Sequence, residues 1–368
     1  MTKSIHIYAS LGVIGKKAAG GGQVSARRLV KVLDGMGYEV LVVNRTIPPY
    51  TSKTLWAKLH KIIGFFIDPI RFFLHLLLRR RKDSVALIIG YSGKLFPYYF
   101  LFVRIGKLLG YKTVFYLKGG FTESKFTSIS KKLQGVYKKG LMKVDFALYE
   151  GEEGANISTR ICPKTRAIWI PNFVENGFYP KQFPIKPNDT INLLYFGRIQ
   201  PSKNVLMVVD VFDLLCASFS NIKLTIVGSG DLEYEMLLSE RLKQSQNAKK
   251  IIWQSRIEHE RLKDILLNHH FFVFPSDEPQ EGHSNSLNEA MSFGLVPIVS
   301  NFNFLPRIVG NEQLVVQTMK AESFASTIER IIKNDYLESL SREMYERVQL
   351  HFTQFAVERK LKEVLNSL

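Results

Sequence analysis

Short apolar runs alternate along the chain with stretches of helical periodicity. The runs of the first half are SIHIYAS, YEVLVVN, VALIIGY, KTVFYLKGG, DFALYEG and AIWIPN, and those of the second half are INLLYFGR, KLTIVGSG, KIIWQS, FFVFPS and VPIVS. Apolar runs that are flanked by Gly, Asn and Ser and separated by helical stretches are typical of buried parallel strands. The pattern predicts an α/β protein with two parallel sheets.

A proline-rich segment separates the two halves. The stretch PNFVENGFYPKQFPIKPNDT has little periodicity, as expected of a linker. A chain of 368 residues is also longer than one hydrophobic core usually serves. We therefore expect one domain at 1–172 and a second at 173–350, with a C-terminal helix at about 351–368 that packs back on the first. Because MTKSIHIYASLG lacks the features of a signal peptide, we expect the mature chain to start at Met1.

The stretch KTLWAKLHKIIGFFIDPIRFFLHLLLRRRKDS predicts two consecutive amphipathic helices, the second beginning at Asp68 and Pro69. Charged residues interrupt its apolar positions, so it is too polar to span a bilayer. It either packs on the first sheet or lies partly at a membrane surface, with aromatic residues in lipid and cations against anionic headgroups. We expect both uses. The candidate membrane residues are Trp56, Lys61, Arg71, Arg79, Arg80, Arg81 and Lys82.

The positive charge lies entirely in the first half. The net charge is +17, and residues 1–170 contain 29 Lys and Arg against 9 Asp and Glu. Such asymmetry indicates an anionic membrane, a nucleic acid or a polyanionic substrate as partner, or a solvated basic surface. Since no nucleic-acid recognition motif is present, we expect no nucleic-acid partner. The two cysteines lack metal-ligand spacing and suit a reducing compartment, so we expect a cytoplasmic protein without a metal site.

A glycine cluster precedes the first predicted helix. In GGGQVSARRLVKVL, Gly21 and Gly22 lead from a loop into an amphipathic pattern. Glycines allow close backbone approach, and a helix N-terminus offers N–H groups to a phosphate. A turn that binds nothing explains the cluster equally well.

Two further strand ends carry candidate phosphate contacts. In LLYFGRIQPSKN, Arg198 and Lys203 follow a strand within one short loop and could clamp a diphosphate. The alternative is a pair of solvated cations. LTIVGSGDLEYEM has the same layout, and Gly228 there allows a ligand to approach the backbone.

The stretch EPQEGHSNSLNEAMSFG contains two glutamates at the carboxyl end of the FFVFPS strand. A helix is predicted to start among Ser284, Asn285 and Ser286, where its N–H groups could hold a phosphate. Glu281 precedes that helix, and Glu289 lies about one turn inside it. Their separation suits two ends of one extended ligand better than a carboxyl pair that shares a proton. Alternatively, they are a loop carboxylate and a helix-surface charge.

Taken together, these motifs resemble the GT-B glycosyltransferases of the large retaining family 4. The matching features, in chain order, are the glycine loop followed by GYEV, the junction IPNFVENGFYP, FGRIQPSKN, and EGHSNSLNEAMSFGLVPIVS. The resemblance implies two Rossmann-like domains whose parallel sheets face a central cleft. The first domain would bind the acceptor and the second a nucleotide-diphosphate sugar. It further implies metal-independent transfer with retention, without a cofactor, in which fixed cations and helix N–H groups stabilise the leaving diphosphate.

The resemblance also assigns roles to individual residues. Glu281 contacts the transferred sugar and takes part in catalysis, Glu289 binds the ribose, and Arg198 with Lys203 holds the diphosphate. A histidine near the sugar is common in the family, but this chain has Lys118, which we take as a catalytic contact. The loop at 254–257 is similar to the base-binding segment, although Ser255 replaces a frequent glycine. The other donor-binding candidates are Gly21, Gly22, Gly228, Arg256, His283, Ser284, Asn285, Ser286 and Leu287.

We therefore expect a peripheral membrane glycosyltransferase at the inner face of the plasma membrane. It would transfer a sugar, with UDP-sugars favoured, to a lipid-linked or other cell-surface glycan, as in lipopolysaccharide or capsule synthesis. A sugar-nucleotide 2-epimerase on the same fold is one alternative. A non-catalytic protein that binds sugar nucleotides or polyanions is another.

Overall fold

The computed structural model describes residues 3–13, 15, 21–46, 55–81, 83–93, 96–279 and 281–368, with the backbone alone at 55–58, 60 and 61. The chain divides into two compact units between Asn172 and Phe173, and Val357–Leu368 belong to the first unit. The division falls where the proline-rich segment placed it. The return to the first unit begins at Val357 rather than at about 351.

The first unit is built on one parallel sheet. Its strands are β1 (Ser4–Ala9), β2 (Glu39–Asn44), β3 (Val85–Tyr91), β4 (Lys112–Lys118), β5 (Phe146–Tyr149) and β6 (Arg166–Trp169). They lie in the order β2-β1-β3-β4-β5-β6. The strands β1, β3 and β5 are buried along nearly their whole length, which explains their unbroken apolar runs.

Helices connect these strands. They are α1 (Gly21–Gly35), α2 (Leu55–Leu78), α3 (Phe96–Leu108), α4 (Glu123–Ser128), α5 (Lys131–Leu141) and α6 (Glu152–Ile161). The connections through α2, α3 and α5 all run in the same direction across the sheet. Because crossovers between parallel strands are right-handed, these three helices lie side by side on one face of the sheet.

The prediction of two helices at 53–84 was wrong, because α2 continues through Pro69. Asp68 is not a helix cap; its buried carboxylate accepts hydrogen bonds from the Tyr8 hydroxyl at 2.9 Å and the Thr46 N–H at 3.1 Å. The Arg71 guanidinium lies 3.2 Å from the same carboxylate. These contacts attach the middle of α2 to the sheet. No described helix combines the length and hydropathy needed to cross a bilayer.

The second unit also has a parallel sheet of six strands. They are β7 (Ile191–Phe196), β8 (Ile222–Val227), β9 (Ile251–Gln254), β10 (Phe271–Phe274), β11 (Val296–Ser300) and β12 (Val315–Val316), in the order β12-β11-β10-β7-β8-β9. Its helices are α7 (Val205–Ser218), α8 (Leu232–Gln244), α9 (His259–Leu267), α10 (Asn285–Ser292), α11 (Leu305–Val309), α12 (Ala321–Lys333) and α13 (Leu337–His351), and α14 (Gln354–Asn366) crosses the boundary between the units. The predicted α/β fold with two parallel sheets is confirmed; only the two-residue β12 was missed.

Candidate functional site

The loops that follow β7 and β10 lie together at the carboxyl edge of the second sheet, because these two strands are neighbours. A 3-10 turn, Pro201–Lys203, follows β7. The Asp277 N–H donates to the Ser202 carbonyl at 3.0 Å, and the Asn204 amide donates to the Pro275 carbonyl at 2.9 Å. These bonds fix the two loops against each other.

Lys203 and Glu281 form an ion pair across these loops. The Lys203 amine contacts the Glu281 carboxylate directly and lies 3.2 Å from the Ser276 hydroxyl. It also lies 5.0 Å from the centre of the Phe274 ring. Lys203 is buried, and Glu281 is half-buried. The proposed diphosphate contact and the proposed sugar contact are therefore partners of each other in this structure.

The surroundings of Lys203 tune its charge. Burial lowers the pKa of Lys203 to about 7, helped by the Arg198 cation, while Glu278 and Asp277 oppose the shift. The Glu278 carboxylate is held by the Gln200 amide at 2.6 Å and the Ser202 hydroxyl at 2.7 Å. Arg198 itself is exposed at the end of β7. An anion bound beside Lys203 and Arg198 would favour the charged amine.

The helix α10 starts where the sequence placed it. Ser284 is its N-cap, and the Ser284 hydroxyl accepts from the Leu287 N–H at 3.4 Å. The Leu287 N–H therefore already has a partner within the helix cap. It is less suited to hold a phosphate than the sequence suggested. Asn285 and Ser286 form the first turn and are half-buried.

His283 does not line an open site. Its ring is buried, with Nε2 at 2.9 Å from the Asn288 amide oxygen and an edge-to-face contact with Phe352. Because burial and these contacts separate the ring from solvent, His283 holds the turn in place. A contact of His283 with the donor stays a prediction.

Glu289 has a histidine partner that sequence reasoning missed. The His259 Nε2 lies 3.2 Å from Glu289 Oε1, and the His259 ring stacks on Phe178 with centroids 4.0 Å apart. His259 is the first residue of α9 and follows closely after the loop at 254–257. Its position just after that loop was the one feature of the sequence that could have identified it as a site residue. Glu281 and Glu289 thus have separate partners, as expected if they contact different parts of one ligand.

The glycines after β7 and β8 serve backbone packing. A Cβ on Gly228 would lie 1.9 Å from the Gly197 carbonyl oxygen, and one on Gly230 would lie 2.1 Å from the Ile199 carbonyl oxygen. The Gly228 N–H donates to the Gln254 carbonyl at 2.9 Å. Because a side chain here would collide with the Gly197 carbonyl, Gly228 is required for the packing of the two loops, and its contact with the donor stays a prediction. Arg256 is exposed beside these loops.

In the first unit, Gly21 and Gly22 are the first residues of α1 rather than a loop. A Cβ on Gly22 would lie 2.7 Å from the Tyr91 ring, so this glycine lets α1 approach the end of β3. The Tyr91 hydroxyl is buried and has no hydrogen-bond partner among the described residues. Sequence reasoning did not single out Tyr91.

Lys118 is buried in the first unit. Its amine donates to the Asn172 side-chain oxygen at 3.0 Å and the Tyr116 hydroxyl at 3.1 Å, and it lies 3.8 Å from the Glu150 carboxylate. The Ser25 hydroxyl is a further partner. Burial lowers the pKa of Lys118 to about 8, although Glu150 raises it. This amine joins α1, β4 and Asn172, which ends the unit, and the catalytic role of Lys118 stays a prediction.

The second unit therefore collects Arg198, Lys203, Glu281 and Glu289 at one edge of its sheet. Among the residues that the structure describes, no group of three or more His, Cys, Asp and Glu could hold a metal ion. The metal independence of the reaction stays a prediction.

The segment that carries this site matches the model of a known protein family. Residues 179–351 match the model for glycosyl transferases group 1. The chain is 21% identical over 232 residues to a phosphatidylinositol N-acetylglucosaminyltransferase subunit of Arabidopsis thaliana, covering 61% of this chain and 50% of the relative. It is 25% identical over 186 residues to the capsular polysaccharide biosynthesis glycosyltransferase CapM of Staphylococcus aureus, covering 49% and 47%. The chain thus spans about half the length of the curated relatives it matches.

The fold is also shared with solved structures. The Anabaena protein HepE, crystallised in complex with UDP, matches with a TM-score of 0.74 at 11% identity, over 100% of both chains. At this identity the likeness shows the fold. Together with the family model, it confirms the resemblance to GT-B glycosyltransferases that the motifs indicated.

Proposed function

We propose that this chain, a GT-B protein whose second unit matches the group 1 glycosyl transferase model, transfers a sugar from a nucleotide-diphosphate donor to a lipid-linked or other cell-surface glycan. We assign it to retaining family 4 and favour a UDP-sugar as donor. The UDP complex of HepE, which has the same fold, supports that choice.

The observation that carries the proposal is the ion pair of Lys203 and Glu281. A buried cation whose neighbours are a carboxylate, a hydroxyl and an aromatic ring has lost most of its hydration. A diphosphate would supply stronger charge-assisted hydrogen bonds to that amine. Glu281, released from the amine, would then face the sugar that follows the diphosphate.

The reaction we propose is metal-independent and retaining. The bond between the anomeric carbon and the diphosphate oxygen breaks, and an acceptor hydroxyl bonds to the same face of the sugar. The hydroxyl proton passes to the departing diphosphate. Lys203, Arg198 and the first turn of α10 stabilise the negative charge that develops on the leaving group. Glu281 stabilises the positive charge that develops on the sugar.

A membrane location is proposed from the surface of α2. Many large apolar side chains of this helix are 40–79% exposed. They are Leu59, Ile62, Ile63, Phe65, Phe66, Ile67, Ile70, Leu74, Leu77 and Leu78. An apolar face of this extent marks an interaction surface, and Arg79 and Arg80 lie exposed at its end. We propose that this face enters the inner leaflet of the plasma membrane, which brings the enzyme to a lipid-linked acceptor.

The candidate membrane cations differ in whether they already have partners within the protein. Arg71 bonds to Asp68 and Thr46, and Arg81 pairs with Glu39, so both have partners within the protein. The side chains of Trp56 and Lys61, and residue Lys82, lie outside the described part of the chain.

The enzymatic proposal is tested with a panel of nucleotide sugars. A donor at about 100 times its Kd should stabilise the protein by roughly 2.7 kcal/mol. The donor identified is then incubated with a lipid-linked acceptor extract, with and without EDTA, and the anomeric configuration of the product is read by NMR. Retained configuration that is insensitive to EDTA supports the proposal; donor conversion without an acceptor indicates an epimerase. Binding without any turnover indicates a non-catalytic protein.

The membrane proposal is tested by flotation with vesicles that contain phosphatidylglycerol. Phe66→Ser with Ile70→Ser should reduce vesicle binding, because both side chains are exposed on the apolar face. A matched pair, Leu232→Ser with Met236→Ser, changes exposed apolar residues in the second unit. Equal binding by both double variants would contradict the proposed face.

A further inference from the structure

A shallow groove lies between α3 and α5, on the face of the first unit that also carries α2. The two helices approach closely at Gly140, where a Cβ would lie 2.4 Å from the Phe100 ring. The groove has a volume of about 160 Å³. Phe100, Leu101 and Val136 give it an apolar wall, and Arg104, Lys139 and Lys143 contribute its cations.

The three cations of the groove have no acidic partner among the residues that the structure describes. Arg104, Lys139 and Lys143 are exposed, and none forms an ion pair with a described residue. Neither α3 nor α5 contains an aspartate or glutamate. Asp145, which lies near this end of α5 in the sequence, is bonded to Lys107 at 2.5 Å. The groove therefore presents positive charge next to apolar surface.

The groove continues the apolar face of α2. Ring contacts join α2 to α3 through Phe72 and Phe102, and join α3 to α5 through Phe100 and Tyr137. The three helices thus form one layer on the sheet. The outer surface of α3 adds Leu101 and Leu108 to the exposed apolar residues of α2, and Leu108 is 79% exposed.

We propose that this groove binds the headgroup of an anionic membrane phospholipid. The lipid phosphate contacts Arg104, Lys139 and Lys143, and the glycerol and upper acyl chain lie against Leu101 and Val136. The charge of the groove complements the phosphate, and its apolar wall matches the part of a lipid next to the headgroup. A free phosphate ion would make no contact with the apolar wall. The inference rests on the proposed membrane location and adds a lipid-specific site to it.

The site is tested in the absence of a bilayer, with short-chain dihexanoyl phosphatidylglycerol below its micellar concentration. Calorimetry should give one lipid per chain. The variant Arg104→Gln, Lys139→Gln, Lys143→Gln should weaken binding about tenfold or more, because charge-assisted hydrogen bonds to the phosphate are lost. The control Lys131→Gln, Lys132→Gln, Lys138→Gln removes the same charge from exposed positions of α5 that do not line the groove. It should keep the affinity within about twofold, because no bond to the phosphate is removed.

A second variant changes the apolar wall. Val136→Glu places a carboxylate beside the three cations and should abolish lipid binding. Inorganic phosphate, which cannot contact the apolar wall, should not bind the wild-type protein. Equal losses in the groove variant and its control would show general electrostatic attraction and overturn the site. Absence of lipid binding by the wild-type protein would overturn it as well.

The lipid-binding result can be distinguished from a failure of the enzymatic proposal. Each variant is first checked for an unchanged melting temperature and for unchanged affinity for the nucleotide donor, which the second unit binds. Loss of lipid binding with intact donor binding supports the groove. Donor binding that fails in the wild-type protein contradicts the enzymatic proposal and leaves the lipid measurement valid. If a triple variant does not fold, lipid binding is measured with Val136→Glu and Leu101→Gln instead.

Discussion

The Lys203 amine is bonded to the Glu281 carboxylate, so the two residues assigned to the diphosphate and the sugar neutralise each other. The pair is buried on the lysine side and half-buried on the glutamate side. Breaking such a pair without a replacement leaves a buried charge uncompensated. We infer that a donor diphosphate replaces Glu281 at the amine.

The first prediction concerns Glu281→Gln. The substitution keeps the side-chain shape and removes the charge that competes with the diphosphate. We expect donor affinity to stay equal or increase, while kcat falls by about a hundredfold or more, because charge stabilisation at the sugar is lost. Calorimetry and initial rates measure the two effects separately. A variant that transfers sugar at the wild-type rate would show that Glu281 has no part in the reaction.

The second prediction is a pH dependence of donor binding. The pKa of Lys203 is about 7, so the free protein loses this charge as the pH rises above 7. A diphosphate binds the protonated amine, so binding takes up a proton and the Kd rises by up to about tenfold per pH unit. Titrations of UDP between pH 7.5 and 9 test this, since UDP itself stays ionised there.

Arg198→Gln is the control for that experiment. It removes a cation that lowers the pKa of Lys203, so the pKa rises and the rise in Kd begins at higher pH. Overall affinity falls because a phosphate contact is lost. A Kd that does not change with pH in the wild-type protein would separate Lys203 from the diphosphate.

The third prediction concerns His259. Its bond to Glu289 and its stacking on Phe178 hold the carboxylate that we assign to the ribose. His259→Ala should weaken binding of the donor by about 1 kcal/mol and leave binding of its 2′,3′-dideoxyribose analogue unchanged. His259→Gln, which can still donate to Glu289, should recover part of the loss. Equal weakening for donor and analogue would indicate a general effect on the fold.

The fourth prediction concerns stability. Lys118→Met removes the cation next to Glu150 and leaves the Asn172 and Ser25 oxygens with fewer donors. Loss of one partner of a buried charge pair costs about 3 kcal/mol. We expect a lower melting temperature, and Lys164→Met, at an exposed position of the same unit, serves as control. If the Lys118 variant is as stable as the wild type, its bonds do not stabilise the unit.

Eleven of the described strands were predictable because each is an apolar run that is separated from the next by a helical stretch or by the proline-rich segment. The two valines of β12 are too few to show a period, and they pair only because β11 lies beside them. The continuous α2 was not predictable, since an Asp-Pro pair usually starts a helix. Only the folded sheet brings Tyr8 and Thr46 to the Asp68 carboxylate and lets the helix pass through Pro69.

The site was predicted in part. Motif spacing indicated Arg198, Lys203, Glu281 and Glu289, but not that Lys203 and Glu281 touch. That contact depends on β7 lying next to β10, two strands that are distant in sequence. The sequence positions of Lys118 and His283 did not reveal that both side chains are buried. His259 is a single residue without a pattern, and only its distance from Glu289 identifies it.

The proposed contact between Lys203 and the donor diphosphate can be tested by one titration. The nucleoside diphosphate that binds best is compared with its monophosphate in the wild-type protein and in Lys203→Met. We expect the wild type to favour the diphosphate by about tenfold or more, since the second phosphate gains a charge-assisted bond. In the variant most of this preference should be lost, and what remains is due to Arg198 and the first turn of α10. A Lys203→Met protein that binds the diphosphate as tightly as the wild type would show that Lys203 does not contact the diphosphate.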